Sequence, residues 1–427
     1  MKNSKLLLSA LAGLGLYSAT AQELSVDAMI RPRAEALHGF GQPVVEGVDP
    51  SLFVTQRSSL LVKYKDEKIT TFLDLQQTNT WGDRPQLAQD GGDTFRVNQG
   101  WAQIALGGGW ATKVGRMQLS YDDQRILGGL GWANQQRTHD AGLIKYGNES
   151  LKLDLGFSFN QNGPSGTSNV FQPGAVGQPI FQYKSMIFAH LNNKFSDSFS
   201  GSFLFINNQF QDLVDGVGVE GFSSRYTSGI YGKYKSGAFG FDFSGYYQFG
   251  EFVSDVDISA YDIAANFTYK TGSTVLGAGI ELLSGNDLDD EKQNAFFPLY
   301  GTNHKFNGFM DYFYVGNHAN NGGLMDINAK AVFKTGEKSK LLTKLHYFGG
   351  LTDQVAYDKG YYGTEIDLVY SQGITKYANI KLGYSHAFLD DDFANARAGG
   401  EQDGVQNWVW TMLTVKPNIF KWKKPVE

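Results

Sequence analysis

Residues 151–159 read Leu151-Lys152-Leu153-Asp154-Leu155-Gly156-Phe157-Ser158-Phe159. Every odd position is apolar, and every even one is polar or small. A strand turns successive side chains to opposite faces, so a period of two specifies a strand with one apolar and one wet face. The pattern recurs along the chain. Leu24, Val26, Ala28 and Ile30 alternate with Ser25, Asp27, Met29 and Arg31. Phe239, Phe241, Phe243, Tyr247 and Phe249 oppose Asp242, Ser244 and Gln248, and Met325, Ile327, Ala329, Ala331 and Phe333 oppose Asp326, Asn328 and Lys330.

The connections between such segments alternate in length. Short ones are expected near Lys65–Lys68, Gly107–Trp110, Gly147–Ser150, Lys194–Ser198, Lys235–Ala238, Lys270–Ser273, Lys334–Lys340 and Gln372–Thr375. Long ones are expected near 39–53, 80–94, 119–135, 160–181, 208–222, 251–256, 286–322, 349–360 and 388–404. Eight short turns and nine long loops join 18 strands, provided 286–322 is one loop although His304–Val315 has strand character. Tight turns at one end and long loops at the other are the pattern of an outer-membrane barrel. In lipid every backbone amide must be paired, which requires the sheet to close. The expected fold is therefore all-β, a transmembrane antiparallel up-and-down barrel, with 405–416 as the last strand and loops 119–135 and 286–322 as candidates to fold into the lumen. Tyr64, Trp81, Trp110, Tyr146, Tyr234, Tyr269 and Tyr384 at strand ends fit aromatic girdles.

Composition agrees. The 427 residues include 52 Gly, 31 Phe, 22 Tyr and no Cys, with 19% charged residues and a mean hydropathy of -0.30. That excludes a stack of apolar membrane helices, a disulfide scaffold and a cysteine nucleophile. Residues 1–21 read as a signal peptide: Lys2 and Lys5, an apolar run from Leu6 to Leu16, then Ala19-Thr20-Ala21 for cleavage. The rest forms one barrel domain, 22–427, integral to an outer membrane. The net charge is -6, and losing Lys2 and Lys5 makes it more negative, so nucleic acid is a poor partner. The expected partners are outer-membrane lipid and a hydrophilic solute; oligomeric state is not legible.

A barrel of this size encloses water, so passage of solute is the default function, set by lumen charges and inward loops. Eight of ten arginines precede residue 138: Arg31, Arg33, Arg57, Arg84, Arg96, Arg116, Arg125 and Arg137. Asp27, Arg31, Arg33 and Glu35 share one parity and are expected to face the lumen. Arginine presents a planar fork matched to carboxylate or phosphate. With Asp122, Asp123 and Asp140, the residues Arg31, Arg33, Arg57, Arg96, Arg116, Arg125 and Arg137 form the expected channel lining. Arg–Asp pairs that merely brace the wall are the competing reading. His304, Lys305, Asp311 and Tyr312 are constriction-loop candidates.

Two stretches carry a resemblance. Gly115-Arg116-x-x-x-x-Tyr121-Asp122-Asp123-x-Arg125, continuing through Trp132, Arg137, His139 and Asp140, and His304-Lys305-Phe306-x-Gly308-x-Met310-Asp311-Tyr312-Phe313, are similar to the alginate export family of outer-membrane barrels. The resemblance spans about 24–416. It implies an 18-stranded channel whose positive lumen conducts an anionic polysaccharide of the alginate type, with Arg116, Asp122, Asp123, Arg125, Arg137 and Asp140 lining or bracing it. A general porin and a surface-binding barrel acting through its loops are the alternatives.

Other motifs carry less. Gly216-Val217-Gly218-Val219-Glu220-Gly221 matches GxGxxG but no helix follows it. The histidines show no ligand spacing, and no cofactor is expected. Asn286-Asp287-Leu288-Asp289-Asp290-Glu291 could hold calcium on an outer loop, though a solvated acidic loop is the simpler reading. Asp122-Asp123 with His139-Asp140 could be read as an acid–base set for hydrolysis. Enzymes of that kind are narrower barrels, and the chain is read as no enzyme.

Overall fold

A computed structural model describes residues 22–83, 95–163, 169–173, 182–253, 256–313 and 322–424. The signal-peptide segment lies outside them. The wall begins with β1 (Glu23–His38), β2 (Ser51–Lys65), β3 (Ile69–Thr80), β4 (Phe95–Gly107), β5 (Trp110–Met117) and β6 (His139–Gly147). It continues with β7 (Leu151–Phe159), β8 (Ser185–Lys194), β9 (Phe199–Val214), β10 (Val217–Ser236), β11 (Phe239–Val253) and β12 (Val256–Thr271). It ends with β13 (Thr274–Leu283), β14 (Leu324–Lys334), β15 (Ser339–Gly350), β16 (Gly360–Gly373), β17 (Ala378–Leu389), β18 (Gln406–Val415) and β19 (Asn418–Lys423). Helix α1 (Asp391–Ala398) lies in the loop before β18.

Each strand pairs antiparallel with its sequence neighbour, and β1 closes the sheet by pairing with β2 on one side and with both β18 and β19 on the other. The two last segments are one stave, because Pro417 has no amide hydrogen to give the ladder and its carbonyl instead accepts from Ala28 N at 3.1 Å. The barrel therefore has 18 staves. The last stave runs to Lys423 rather than stopping at 416, and Phe420 and Trp422 stand exposed on it.

The alternation sorts the wall as the physics of lipid requires. In β7, Leu155, Phe157 and Phe159 are exposed outward, whereas Asp154, Gly156 and Ser158 are buried inward. Two connections expected to be long are not. Residues 208–222 extend the β9–β10 ribbon to a two-residue turn at Asp215-Gly216, whose φ values of 50° and 78° suit the twist of a tight hairpin. That turn also absorbs the GxGxxG stretch. Likewise β11 and β12 run to Val253 and from Val256. Polar and glycine residues there signal a loop, but strands rising above the bilayer have no apolar face to show.

Wall height is uneven. Strand β10 has 20 residues, but β5 has 8 and β6 and β7 have 9 each. At this low side residues 118–138 leave the wall and turn inside. The buried apolar residues are accordingly gathered in the lumen. They come from the first inward loop (Leu119, Ile126, Leu127), from the loop between β13 and β14 (Phe296, Phe297, Leu299, Tyr300, Met310, Phe313) and from inward wall positions such as Phe188, Trp408 and Trp410.

Candidate functional site: the constriction

The two inward loops meet as a short parallel pair. Tyr300 N donates to Ile126 O at 3.0 Å, Gly128 N to Tyr300 O at 2.8 Å and Thr302 N to Gln124 O at 2.9 Å. The geometry is strained. Asp122, Gln124, Leu130 and Gln136 in the first loop, and Leu299, Asn307 and Asp311 in the second, all have positive φ. Each costs on the order of 1 kcal/mol or more and persists only where surroundings over-determine it. A 3-10 turn at Asn303–Lys305 replaces any strand in the described part of this stretch, 304–313.

Arg125 supplies much of that determination. Its side chain is 2% exposed; Nε lies 2.7 Å from Glu281 Oε1 on β13 and 3.2 Å from Asp262 Oδ2 on β12. Its Nη2 donates to Asn307 Oδ1 at 2.9 Å, and the guanidinium lies 4.7 Å from the centre of the Phe306 ring. One cation thus ties the first loop to two staves and to the second loop. Arg137 Nη1 adds a bond to Gly301 O at 2.6 Å.

On the opposite wall three arginines hold the first loop by its carbonyls. Arg31 donates to Gly131 O at 2.7 Å and Trp132 O at 2.9 Å, Arg33 to Trp132 O at 3.0 Å, and Arg57 to Gly131 O and Ala133 O, both at 3.3 Å. Arg33 also pairs with Glu35 at 2.8 Å and lies 4.4 Å from the Trp132 ring centre. Arg96 bonds Gln76 and Asn98, each at 3.0 Å. Trp132 of the first loop stacks on His304 of the second at 5.1 Å and meets Trp410 of the wall edge-on at 4.6 Å. His304 Nδ1 stands 2.9 Å from Asp311 Oδ1, and Tyr312 is buried.

Asp122 accepts from His190 Nε2 at 3.1 Å and Ser202 Oγ at 2.7 Å. Asp123 accepts from the Arg125 amide at 3.0 Å, and Lys305 Nζ donates to the Asp123 carbonyl. Burial lifts the Asp123 carboxyl to about 6, against the pull of Arg125 and Lys305. The carboxylates that face these loops, Asp262, Glu281, Asp326, Glu365 and Asp367, stand on β12, β13, β14 and β16. Arginines thus gather on β1, β2 and β4, with Glu35 and Asp74 among them, and a second group of acids stands on β12, β13, β14 and β16.

Arg116 and Asp140 depart from expectation. They are register partners, 2.7 Å apart, and share the outward parity of exposed Val114 and Ile144, whereas Met117, His139 and Ala141 turn in. The last turn of β5 and the first of β6 thus place this pair on the outer wall. Motif proximity cannot reveal that, because one residue of register reverses a face.

Sequence reading also missed the lysines. Lys63, Lys113, Lys145, Lys233, Lys330, Lys344 and Lys381 share the inward parity of buried neighbours such as Ser59, Met117, Leu143, Thr227, Asp326, His346 and Ser385. All lie toward the short-turn end. The signal was present in strand parity, but arginine clustering drew the reading elsewhere. In 286–291, Asn286 Oδ1 accepts from the amides of Asn294 and Ala295, and Asp290 caps Asp287 N. Among the described residues no group of three His, Asp or Glu side chains stands together to hold a metal ion.

No protein-family model and no curated protein matches the sequence. Solved structures do match the fold. OccAB4 of Acinetobacter baumannii has a TM-score of 0.65 at 11% identity, covering 94% of this chain and 98% of that one. OccK2 (OpdF) of Pseudomonas aeruginosa, solved with glucuronate, has a TM-score of 0.62 at 13% identity, covering 94% and 99%. OpdK of Pseudomonas aeruginosa, solved with vanillate, has a TM-score of 0.61 at 10% identity, covering 93% and 99%. The chain shares its whole architecture with these barrels. The comparisons lend no support to the alginate export family in particular.

Proposed function

We propose that this protein is an outer-membrane channel for small hydrophilic organic anions. The observation that carries the reading is the constriction: two strained loops turn into a closed 18-stave lumen and are held there by Arg125 and the β1–β2 arginines. Structural strain of this kind is retained where a passage must be selective. Inward lysines on the short-turn side, such as Lys63, Lys113, Lys233, Lys330, Lys344 and Lys381, favour anions as the solute. The barrels of like fold solved with vanillate and glucuronate support small carboxylates over a polymer. A saccharide polymer of the alginate type would have to thread past Trp132, Trp408 and Trp410, which pack together in the lumen.

The lumen carboxylates are taken up by structural partners, so the channel reading needs no catalytic role for them. Planar-bilayer recording of purified protein tests the proposal. Discrete conductance steps with a reversal potential favouring chloride over potassium are expected. Absence of steps beside a working control barrel, or cation selectivity, would sink it.

A further inference from the structure

A cavity of about 390 Å³ lies in the lumen against β10–β15. Five carboxylates line it: Asp122, Asp123, Asp242, Glu281 and Asp326, of which three have an arginine or histidine partner. Glu281 meets Arg125, Asp326 meets His346 Nδ1 at 2.8 Å, Asp122 meets His190, and Asp242 accepts from Asn266 at 3.1 Å. Its ammonium groups make no close ion pair, although Asp123 and Asp242 lie within electrostatic reach of Lys305, and Asp242 of Lys330. Lys233, Lys305, Lys330 and Lys344 all line it, and among the described residues none forms an ion pair within 4.0 Å. Lys305 and Lys344 donate to main-chain carbonyls, and Lys344 lies over the Phe309 ring.

Lys330 and Lys344 are direct register partners on β14 and β15. Like charges opposite one another on the same face of a sheet are destabilising, and a counter-anion between them removes the repulsion. The arginines differ: the guanidinium groups of Arg31, Arg33 and Arg57 are spent on the carbonyls of 131–134. Lys233, Lys305, Lys330 and Lys344, by contrast, are cations of the passage outside any close ion pair among the described residues.

We propose that Lys330 and Lys344, with Lys233 and Lys305 facing them across the cavity, form a binding station for a small organic anion carrying two carboxylates. The proposal rests on the anion-channel reading and adds to it a site and a ligand class. One carboxylate takes the Lys330–Lys344 pair, and the second takes the ammonium groups across the cavity. A monocarboxylate engages only one set.

The test is block of single-channel current by succinate and by acetate, in wild type and in Lys330→Gln/Lys344→Gln. Removing one ammonium–carboxylate hydrogen bond weakens block by about tenfold. The wild type is expected to be blocked by succinate at far lower concentration than by acetate, and the variant to lose that preference and to show weaker anion selectivity. Equal block of wild type by both acids, or undiminished succinate block in the variant, overturns the station and leaves the channel reading standing. Cation selectivity of the wild type overturns both. If the double variant does not insert, Lys330→Gln alone is read by the same criteria.

Discussion

Arg125 Nε lies 2.7 Å from Glu281 Oε1, and this one ion pair joins a loop near the first third of the chain to a strand in its second half. With Asp262 at 3.2 Å it forms a dry cluster of one cation and two carboxylates. Removing the cation leaves two buried acids facing each other. Breaking a buried pair from one side costs about 3–5 kcal/mol. Arg125→Met is expected to lower the urea midpoint in detergent and to raise single-channel conductance as the loops lose their anchor. A variant with wild-type stability and conductance would show that the loops are held elsewhere.

Trp132 fills the space between Arg33, His304 and Trp410. Trp132→Ala removes a large ring that neighbours cannot replace, at roughly 3–5 kcal/mol for a well-packed site. Larger conductance is the expected outcome, together with loss of a blue-shifted component of the tryptophan emission. Unchanged conductance would place the narrowest part of the passage away from Trp132.

Gly383 on β17 lies where a side chain would collide with the Trp410 ring, at 2.0 Å from its nearest atoms. Gly383→Ala must displace Trp410, and through it Trp132. Overpacking of this sort costs about 1–3 kcal/mol. The expected result is lower thermal stability together with altered conductance. A change in stability alone would mean that Trp410 yields without moving Trp132.

Burial lifts the Asp123 carboxyl to about 6 from an ordinary 3.8. The folded state thus holds its proton more tightly than the unfolded chain. Its contribution favours folding at low pH and is lost progressively between about 4 and 6. In the folded protein the lumen gains a negative charge as pH rises through about 6. Anion selectivity is therefore expected to fall across roughly pH 5 to 7, tested by reversal potential, and Asp123→Asn should flatten that step (about one unit either side of the midpoint). A step that survives the substitution belongs to another group.

Arg116 and Asp140 lie on the outer face, partly exposed. An exposed pair contributes about 0–1 kcal/mol. Arg116→Gln is expected to leave ion selectivity unchanged, unlike loss of inward lysines. A shift in reversal potential would place Arg116 in the passage after all.

Much of the barrel was legible from local pattern. The alternation in residues 151–159 specifies faces because lipid and water sort side chains strand by strand, and eight tight turns set the direction of every return. The chain's end and the β9–β10 ribbon were misjudged for a local reason: proline at 417 and polar residues above the bilayer imitate loops. The Arg116–Asp140 placement turned on register, which no motif records.

Residue order alone was enough for a closed sheet of 18 staves, its apolar exterior and the presence of arginine and acid in its interior, because period-two patterning and turn spacing are local properties. What those charges do emerged only from the folded barrel. Arg31, Arg33 and Arg57 meet carbonyls of 131–134, Arg125 meets Glu281 and Asp262, and four lysines are left facing a cavity. Those partners are far apart in the chain, and their pairing depends on how two loops fill the lumen, which is a matter of packing and desolvation that strand alternation does not encode.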